Sequence, residues 1–301
     1  MIAAGIDLGG TKIETQVFDA DWQVAAQQRV PTPTTYDALV AALADQISWA
    51  SRTAGSDLPT GIGAAGLVNP ATGLALTANL CASGRPLPRD IATAAGRPIT
   101  YVNDCRALAL SEAIFGAGRG HRTVMSLILG TGVGGGVTVD GILPPGPSHT
   151  GGEYGHTSAP AHIIATHALP VVTCGCGRDG CIETYIAGPG LSRLARHLTG
   201  EETTPQTIAA RRHADMAPVW RVWCDLVADL LRTLTLTLDP DIVVLGGGLS
   251  KMADVIPDLT AALDRARIGD FAVPPLVLAQ GGETSGARGA AFAAWQESHR
   301  G

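Results

Sequence analysis

The 301-residue chain lacks the sequence features of membrane-spanning proteins, of non-specific nucleic-acid binders and of exported proteins. It has no uninterrupted apolar run of the roughly 20 residues that a membrane-spanning helix needs. Its formal net charge of −6 is opposite in sign to the basic face used for non-specific binding of nucleic acid. No basic segment precedes the apolar residues 2–6, which indicate a buried first strand and not a signal peptide. We therefore expect a cytoplasmic protein with neither a membrane nor a nucleic acid as partner.

The remaining composition indicates a large α/β protein. Hydrophobic residues make up 46% of the chain and charged residues 16%, so a sizeable core can form. Predicted strands and amphipathic helices alternate, and the glycine-rich segment 116–120 is typical of a hinge. We predict a first lobe at residues 1–118, a second lobe at 119–286 with a cleft between them, and a final helix at about 287–301 that returns to the first lobe.

A glycine-rich turn joins the first two predicted strands. Consecutive glycines let backbone N–H groups approach phosphate oxygens and form a nest for an anion. An ordinary tight turn would use the same glycines, but a hydroxyl and an ammonium group follow them here. The carboxylate before the turn could hold Mg²⁺ through water. The candidate phosphate and magnesium residues are Asp7, Gly9, Gly10, Thr11 and Lys12.

Residues 130–135 match the pattern G-x-G-x-x-G, which in a dinucleotide-binding unit must open a helix after a strand. Residues 136–141 instead predict a second strand and a hairpin turn. The pattern therefore favours a second strand–loop–strand phosphate site, so that each lobe begins with a hairpin. A third glycine segment follows a strand at 246–248, where a nucleotide base could lie against bare backbone. The candidates in these two segments are Thr131, Gly132, Gly134, Gly247 and Gly248.

A carboxylate candidate for catalysis lies where a short strand runs into a helix. Asp104 is placed on a rigid element and could orient a hydroxyl group and accept its proton during phosphoryl transfer. The alternative is that Asn103 or Asp104 only caps the helix. Both interpretations hold if Asn103 caps the helix while Asp104 faces the cleft.

Three cysteines within eight residues are the most specific chemical signal in the chain. Cys174, Cys176 and Cys181 have the spacing C-x-C-x4-C, and glycines between them allow tight wrapping around a metal ion. Three thiolates and one imidazole are a common closed ligand set for structural zinc. His156 is the first candidate for the fourth ligand. The competing histidines are His149, His162 and His167.

Zinc at this position would lock residues 150–183. Glu153 and Glu183 stand at the two ends of that segment, so a metal would bring them together. Two carboxylates at a fixed separation are suited to accept hydrogen bonds from neighbouring sugar hydroxyls. Taken singly, each glutamate would more often be an exposed surface residue.

Together these motifs resemble the ROK family of bacterial sugar kinases and related repressors, from one end of the chain to the other. The resemblance implies an actin-like, ribonuclease H-like α/β fold of two lobes, a homodimer, and the use of ATP and Mg²⁺ with structural Zn²⁺. It also implies that Asp104 is the general base and that His156 binds both zinc and sugar. The sugar-binding residues implied by the resemblance are Gly66, Asn79, Asn103, Asp104, Glu153, His156 and Glu183.

Within that family, segments 82–87 and 127–136 resemble those of members that phosphorylate N-acetyl-D-glucosamine at the 6-hydroxyl. ROK glucokinases often carry a tryptophan near the position of Ala82 or Ser83, and its absence here leaves room for a 2-acetamido group. Glucose and N-acetylmannosamine remain alternative substrates. Only six residues precede Asp7, which argues against the DNA-binding segment of the family's repressors. A non-catalytic sugar sensor is the second alternative.

Overall fold

The computed structural model describes residues 1–282 and 285–300. The backbone packs as two compact units. Unit 1 contains Met1–Arg119, Gly136–Gly151 and Gln280–Gly301, and unit 2 contains Gly120–Gly135 and Gly152–Ala279. Residues 136–151, which the sequence analysis assigned to the second lobe, therefore pack with unit 1, because β9 carries the chain out of unit 2.

The secondary structure follows the alternation of strands and helices expected from the sequence. In chain order the strands are β1 (Ala3–Leu8), β2 (Lys12–Phe18), β3 (Val24–Pro31), β4 (Thr60–Ala64), β5 (Leu67–Val68), β6 (Ala75–Leu76), β7 (Thr100–Asn103), β8 (Thr123–Leu129), β9 (Val133–Val139), β10 (Ile242–Gly246) and β11 (Leu276–Leu278). The helices are α1 (Tyr36–Ala54), α2 (Leu87–Ala95), α3 (Asp104–Phe115), α4 (Ala161–Thr166), α5 (Glu183–Ile186), α6 (Gly188–Thr199), α7 (Pro205–Ala210), α8 (Ala217–Leu238), α9 (Val255–Ala266) and α10 (Ser285–Ser298).

Unit 1 is built on a five-stranded sheet of order β3-β2-β1-β4-β7. The first three strands are antiparallel, and β4 and β7 continue the sheet in parallel with β1. Helix α10 packs very closely on this sheet: a Cβ atom at Gly5 or Gly61 would lie within 2 Å of a carbonyl oxygen of α10, at 1.8 and 1.9 Å respectively. Only glycine allows this approach, which fixes the body of α10 against β1 and β4.

Unit 2 is built on a sheet of order β11-β10-β8-β9, in which β10 is parallel to both β8 and β11. Its core is formed largely by the apolar face of α8, including the fully buried Trp223, whose indole N–H donates to the carbonyl of Ile186 at 2.9 Å. In each sheet, two strands that are consecutive in the chain are neighbours, β1 with β2 and β8 with β9. Parallel strands extend each sheet from the first strand of the pair: β4 and β7 beyond β1, and β10 and β11 beyond β8. This is the repeated plan predicted from the two strand–turn–strand segments.

Several elements have the bounds that their residue patterns predict: the strands predicted at 12–18, 100–103, 123–129 and 133–139 are β2, β7, β8 and β9, and the helices predicted from 104 to about 115 and from about 217 to 238 are α3 and α8. The turn after β9 is also as predicted: Asp140 and Gly141 have φ values of 52° and 68°, and Val139 and Ile142 pair across it. The strand predicted over 60–66 ends at Ala64. Within residues 1–282 and 285–300, no helix has both the length and the apolar character that crossing a bilayer requires.

Candidate active site and metal centre

The first glycine turn lies between β1 and β2 in unit 1 and is closed by its own backbone. The N–H of Gly9 donates to the carbonyl of Lys12 at 3.0 Å. Thr32, directly after β3, supports the turn from outside: its hydroxyl donates to the carbonyl of Gly9 at 2.7 Å, and its N–H donates to the carbonyl of Thr11 at 3.1 Å. Gly10, Thr11 and Lys12 are exposed, so the turn presents backbone N–H, hydroxyl and ammonium groups to solvent.

The loop that carries Asn79 lies against this turn. A Cβ atom at Gly10 would stand 3.2 Å from the carbonyl oxygen of Asn79 and 3.3 Å from its Cβ. Asn79, a predicted sugar residue, is exposed. A candidate sugar residue therefore lies directly beside a candidate phosphate residue within unit 1.

Asn103 takes the capping role, one of the two roles that the sequence left open for Asn103 and Asp104. The Asn103 side-chain oxygen accepts from the backbone N–H groups of Cys105 and Arg106 at 3.0 and 3.2 Å, which makes it the N-cap of α3. Its amide nitrogen donates to the carbonyl of Gly66 at 3.0 Å, so two predicted sugar residues are in contact. One oxygen of the Asp104 carboxylate accepts from Cys105 N–H at 2.8 Å. The cap thus leaves Asp104 available for chemistry.

Asp7 and Asp104 lie at the same edge of the unit 1 sheet, because β1, β4 and β7 are parallel and their carboxyl ends align. Burial raises the pKa of Asp104. Burial and, to a smaller extent, the negative charges of Asp104 and Glu14 together raise the pKa of Asp7 to about 6, against the opposing charge of Lys12. Two ionised carboxylates in a poorly solvated place attract a cation, which fits the Mg²⁺ role predicted for Asp7.

Replacing Asp7 with asparagine is expected to stabilise the ligand-free protein while weakening its response to Mg²⁺. The folded state raises this pKa from 3.8 to about 6, so folding favours the protonated carboxyl. The contribution of this carboxyl to the free energy of unfolding is fully present below about pH 4 and is lost as the pH rises through about 6. At pH 8 this loss lowers the free energy of unfolding by up to about 3 kcal/mol. Asp7→Asn should therefore raise Tm at pH 8 and leave it nearly unchanged at pH 4.

Thermal unfolding in EDTA at both pH values tests this expectation. The exposed Asp21 supplies the control, and Asp21→Asn should show no pH-dependent difference from wild type. Equal Tm values for Asp7→Asn and wild type at pH 8 would mean that burial of Asp7 carries no such cost.

The second glycine turn, between β8 and β9 in unit 2, is tied to Glu183. Gly130 N–H donates to the carbonyl of Gly132 at 3.0 Å, and one oxygen of Glu183 accepts from Val133 N–H at 2.8 Å. A Cβ atom at Gly132 would lie 3.1 Å from that same oxygen. Thr131 and Gly132 are exposed, Gly134 lies in β9, and the chain continues as a strand and not as a helix. A dinucleotide-binding unit is therefore excluded, as the sequence analysis argued.

The third glycine segment has one position that only glycine can occupy. Gly247 has a φ of 85°, and a Cβ atom there would stand 2.3 Å from the carbonyl oxygen of Leu129 at the end of β8. A Cβ atom at Gly248 would meet no atom within 4 Å, so the backbone has open space beside it. A short 3₁₀ turn, Leu249–Lys251, follows. The close approach at Gly247 joins this segment to the strand that leads into the second turn.

His156, Cys174, Cys176 and Cys181 form a cluster in unit 2 in which all four candidate ligand atoms lie within 4.8 Å of one another. The Nδ1 atom of His156 is 3.5 Å from the Sγ atom of Cys174, and the sulfur atoms of Cys176 and Cys181 are 3.6 Å apart. Tetrahedral ligands around zinc, with bonds of about 2.3 Å to sulfur and about 2.0–2.1 Å to nitrogen, are about 3.5–3.8 Å from one another. The side-chain geometry therefore fits zinc.

Among the four candidate histidines, the structure brings His156 to the cysteines. Within the described residues no other His, Cys, Asp or Glu group meets the same criterion, and His149, His162 and His167 lie outside the cluster. The Nε2 atom of His156, on the other side of the ring, is 3.7 Å from an oxygen of Glu153. One imidazole thus faces the thiols with one nitrogen and a predicted sugar carboxylate with the other.

Glu153 and Glu183 are both connected to this cluster, although through different atoms. Glu153 approaches it through His156, whereas the second oxygen of Glu183 is 3.8 Å from the Sγ atom of Cys174. Because Glu183 also accepts from Val133 N–H, it links the cysteine segment to the second glycine turn. The sequence predicted that the cysteines position these glutamates; it did not predict the bond to the turn.

Sequence reasoning also missed Thr32. Its segment carried no predicted role, although the β2–β3 pairing offered a signal: Lys12 is opposite Pro31, which places Thr32 beside Thr11. When a strand pairs with the strand that follows a glycine turn, a polar residue just after it can reach the turn and hydrogen-bond to its backbone.

The fold defines the class of protein. A solved ROK hexokinase from Thermus thermophilus superimposes on this chain with a TM-score of 0.88, covering 100% of both chains at 31% sequence identity. The predicted fold class is thereby confirmed: the chain has the actin-like ATPase fold of sugar kinases.

Residues 3–297 match the model of the ROK family, and the chain belongs to that family. It is 39% identical over 293 residues to a Shewanella protein (strain ANA-3) named N-acetylgalactosamine kinase AgaK, covering 96% of this chain and 95% of that one. It is 40% identical over 296 residues to an N-acetyl-D-glucosamine kinase of Yersinia enterocolitica, covering 96% and 97%.

Proposed function

We propose that the chain transfers the γ-phosphoryl group of ATP to the 6-hydroxyl of N-acetyl-D-glucosamine. The observation that carries this proposal is the placement of Asp104 at the start of α3, with a raised pKa, at the same edge of the sheet as Asp7. A carboxylate of raised pKa on a rigid element is suited to accept the proton of a sugar hydroxyl. The family and the kinase relatives make the chain a sugar kinase.

The remaining residues take the supporting roles that phosphoryl transfer requires, which are positioning and stabilisation of charge. In unit 1, residues 9–12 bind phosphate oxygens and Asp7 holds Mg²⁺, which neutralises charge on the phosphates when bound. In unit 2, the turn at 130–134 and the segment 247–248 bind nucleotide. The proposed sugar-binding residues of unit 1 are Gly66, Asn79, Asn103 and Asp104, and those of unit 2 are Glu153, His156 and Glu183.

The cysteine cluster supplies rigidity to unit 2. Its four ligands leave no open position, so a bound zinc ion would be structural and would not activate water. The ion would hold His156 and Glu183 in fixed orientations, since one is a ligand and the other lies 3.8 Å from the sulfur of Cys174. His156 and Glu183 would thus be held in place for the sugar by a bound zinc ion that takes no part in the reaction.

The choice of an N-acetylated hexosamine is supported by the relatives. Two proteins named as kinases of such sugars are 39–40% identical to this chain, against 31% for the solved hexokinase. The missing tryptophan near Ala82 and Ser83 supports the same choice. N-acetylgalactosamine is a further alternative substrate, which the name of the Shewanella relative adds to those expected from the sequence. It differs from N-acetylglucosamine only in the configuration at one hydroxyl-bearing carbon.

An assay of ADP release with MgATP tests the proposal with N-acetylglucosamine, N-acetylgalactosamine, N-acetylmannosamine and glucose as acceptors. We expect kcat/KM for N-acetylglucosamine to be highest and that for glucose to be lower by at least roughly 10-fold, because the 2-acetamido group offers more contact than the single methylene that is worth about 10–200-fold. A preference for N-acetylgalactosamine would keep the mechanism and change the substrate. The absence of turnover with all four sugars would refute the proposed function.

The predicted homodimer and cytoplasmic location belong to this proposal as well. Light scattering on the eluting protein should give twice the monomer mass of 30.8 kDa if the chain forms a dimer.

A further inference from the structure

Glu112 is a fully buried carboxylate that none of the roles above uses. It lies in the last turn of α3, where the partial negative charge of the helix end makes an anion unfavourable. A buried carboxylate is stable only if neighbouring groups replace the water that it has lost. Its position therefore calls for a set of hydrogen-bond donors.

Among the residues that the structure describes, four groups donate to the Glu112 carboxylate. One oxygen of the carboxylate accepts from the N–H groups of Ala117 and Gln280, both at 3.0 Å. The other accepts from Gly281 N–H at 2.7 Å and from the Ser285 hydroxyl at 3.0 Å. The carboxylate therefore joins the segment that follows α3 to the segment that leads into α10.

Glycine at 116 and 281 makes this arrangement sterically accessible. A Cβ atom at Gly116 would lie 2.1 Å from one oxygen of Glu112, and one at Gly281 would lie 2.9 Å from the other. Both chain segments thus pass so close to the carboxylate that a side chain would displace it. The two glycines and the four donors form one arrangement around Glu112.

The segment that Glu112 holds ends beside Asp7. Ser285 is the first residue of α10 and Gly286 is the second, and a Cβ atom at Gly286 would stand 3.2 Å from the Oδ1 atom of Asp7. The helix also packs on β1 and β4, where Ala287 lies against Gly5 and Ala290 lies against Gly61. Glu112 adds a contact at Ser285, on the N-terminal side of these sheet contacts and next to Gly286.

We infer that Glu112 is a positioning residue for Asp7. By holding Gln280, Gly281 and Ser285, it keeps the start of α10 against the Asp7 carboxylate and so keeps that carboxylate placed to hold Mg²⁺. This inference rests on the proposed function, in which Asp7 is the magnesium residue. Glu112 itself does not contact substrate.

The test uses Glu112→Gln, which preserves the shape of the side chain. The amide has one oxygen in place of two, so one pair of donors loses its acceptor and faces an NH₂ group. Depending on how the amide is oriented, that pair is the N–H groups of Ala117 and Gln280 or the Gly281 N–H and the Ser285 hydroxyl. We expect the Mg²⁺ concentration for half-maximal activity to rise roughly tenfold, the effect of losing one or two such buried bonds, with KM for sugar unchanged. Glu297→Gln, at the far end of α10, is the control and should match wild type.

Gly286→Ala tests the last step independently, because its methyl group would press on the Asp7 carboxylate. It should raise the Mg²⁺ requirement as Glu112→Gln does. The double variant should be less impaired than the product of the two single effects, since both act on the same contact. A lower Tm for Glu112→Gln with unchanged Mg²⁺ and sugar dependence would overturn the inference and leave a purely structural role.

A binding measurement separates this inference from the proposed function. The rise in Tm that MgADP produces should be smaller in Glu112→Gln and in Gly286→Ala than in wild type, whether or not any sugar is phosphorylated. Equal rises in all three proteins would refute the role of Glu112. If Glu112→Gln does not fold, Ser285→Ala, which leaves three donors on the carboxylate, should show the same change in Mg²⁺ requirement to a smaller degree, and an unchanged requirement there would refute the role.

Discussion

Asp104→Asn lowers kcat by about 10²–10⁴-fold and leaves the affinity for MgATP close to that of wild type, if Asp104 is the general base. Asparagine is almost isosteric and can still accept the hydrogen bond from Cys105 N–H, so the start of α3 should be preserved. It cannot accept the proton of the sugar hydroxyl. The variant therefore removes the proposed chemistry while keeping the geometry around it.

The pH dependence provides a second sign of the same role. The base must be ionised, and burial raises the pKa of Asp104 above the ordinary aspartate value. In the wild-type enzyme kcat/KM should therefore fall as the pH is lowered through that raised pKa, and the residual activity of Asp104→Asn should lose the part of the acid limb that Asp104 causes and keep only the part due to Asp7. Steady-state kinetics from pH 5 to 8, with Asp21→Asn as control, measure both effects. Residual turnover within a few-fold of wild type would remove Asp104 as the base.

Cys176→Ser is expected to weaken zinc binding by at least roughly 10- to 100-fold. That is the loss seen when a residue that hydrogen-bonds to a metal ligand is mutated, and removing a thiolate ligand itself should cost no less. Cys176 is the exposed member of the cluster, so the substitution changes little packing. Because structural zinc contributes directly to folding, the segment around residues 174–183 should lose order when the metal leaves. KM for sugar should rise strongly, and Tm should fall.

Metal content measured by mass spectrometry on the purified protein decides this prediction, together with Tm and KM for sugar. We expect one zinc ion per chain in wild type and less in the variant. Cys81→Ser is the matched control, since Cys81 lies in unit 1 outside the cluster and should keep both the metal and the activity. Wild-type protein free of metal but fully active would contradict the structural role of zinc.

Much of the fold could be read from local patterns. The alternation of side chains in β2, the buried stripe of α1 at Leu39, Leu43 and Ile47, and the Asp140–Gly141 turn depend on residues near one another in the chain. The spacing of the three cysteines also indicates that their sulfur atoms can meet, because a short glycine-rich segment can wrap around one ion. Such features are visible without knowledge of the rest of the molecule.

Other features depend on residues far apart in the chain. Glu112 meets Gly281 across 169 positions, and Glu183 meets Val133 across 50. Neither pair has a local signal, because a glutamate near a helix end or after a cysteine is most often exposed. The same holds for Thr32, whose contact with Gly9 follows from the register of two strands.

The α/β character, the bounds of several helices and strands, the glycine turns and the three clustered thiols follow from spacing along short stretches of chain. The tertiary structure was needed to bring His156 and not its three competitors to the thiols, to show that Asn103 caps α3, and to align Asp7 and Asp104 at one edge of the sheet. These depend on strand order and helix packing, which place distant residues together through burial of a common core. Local propensity contains no information about which distant partners that core will bring into contact.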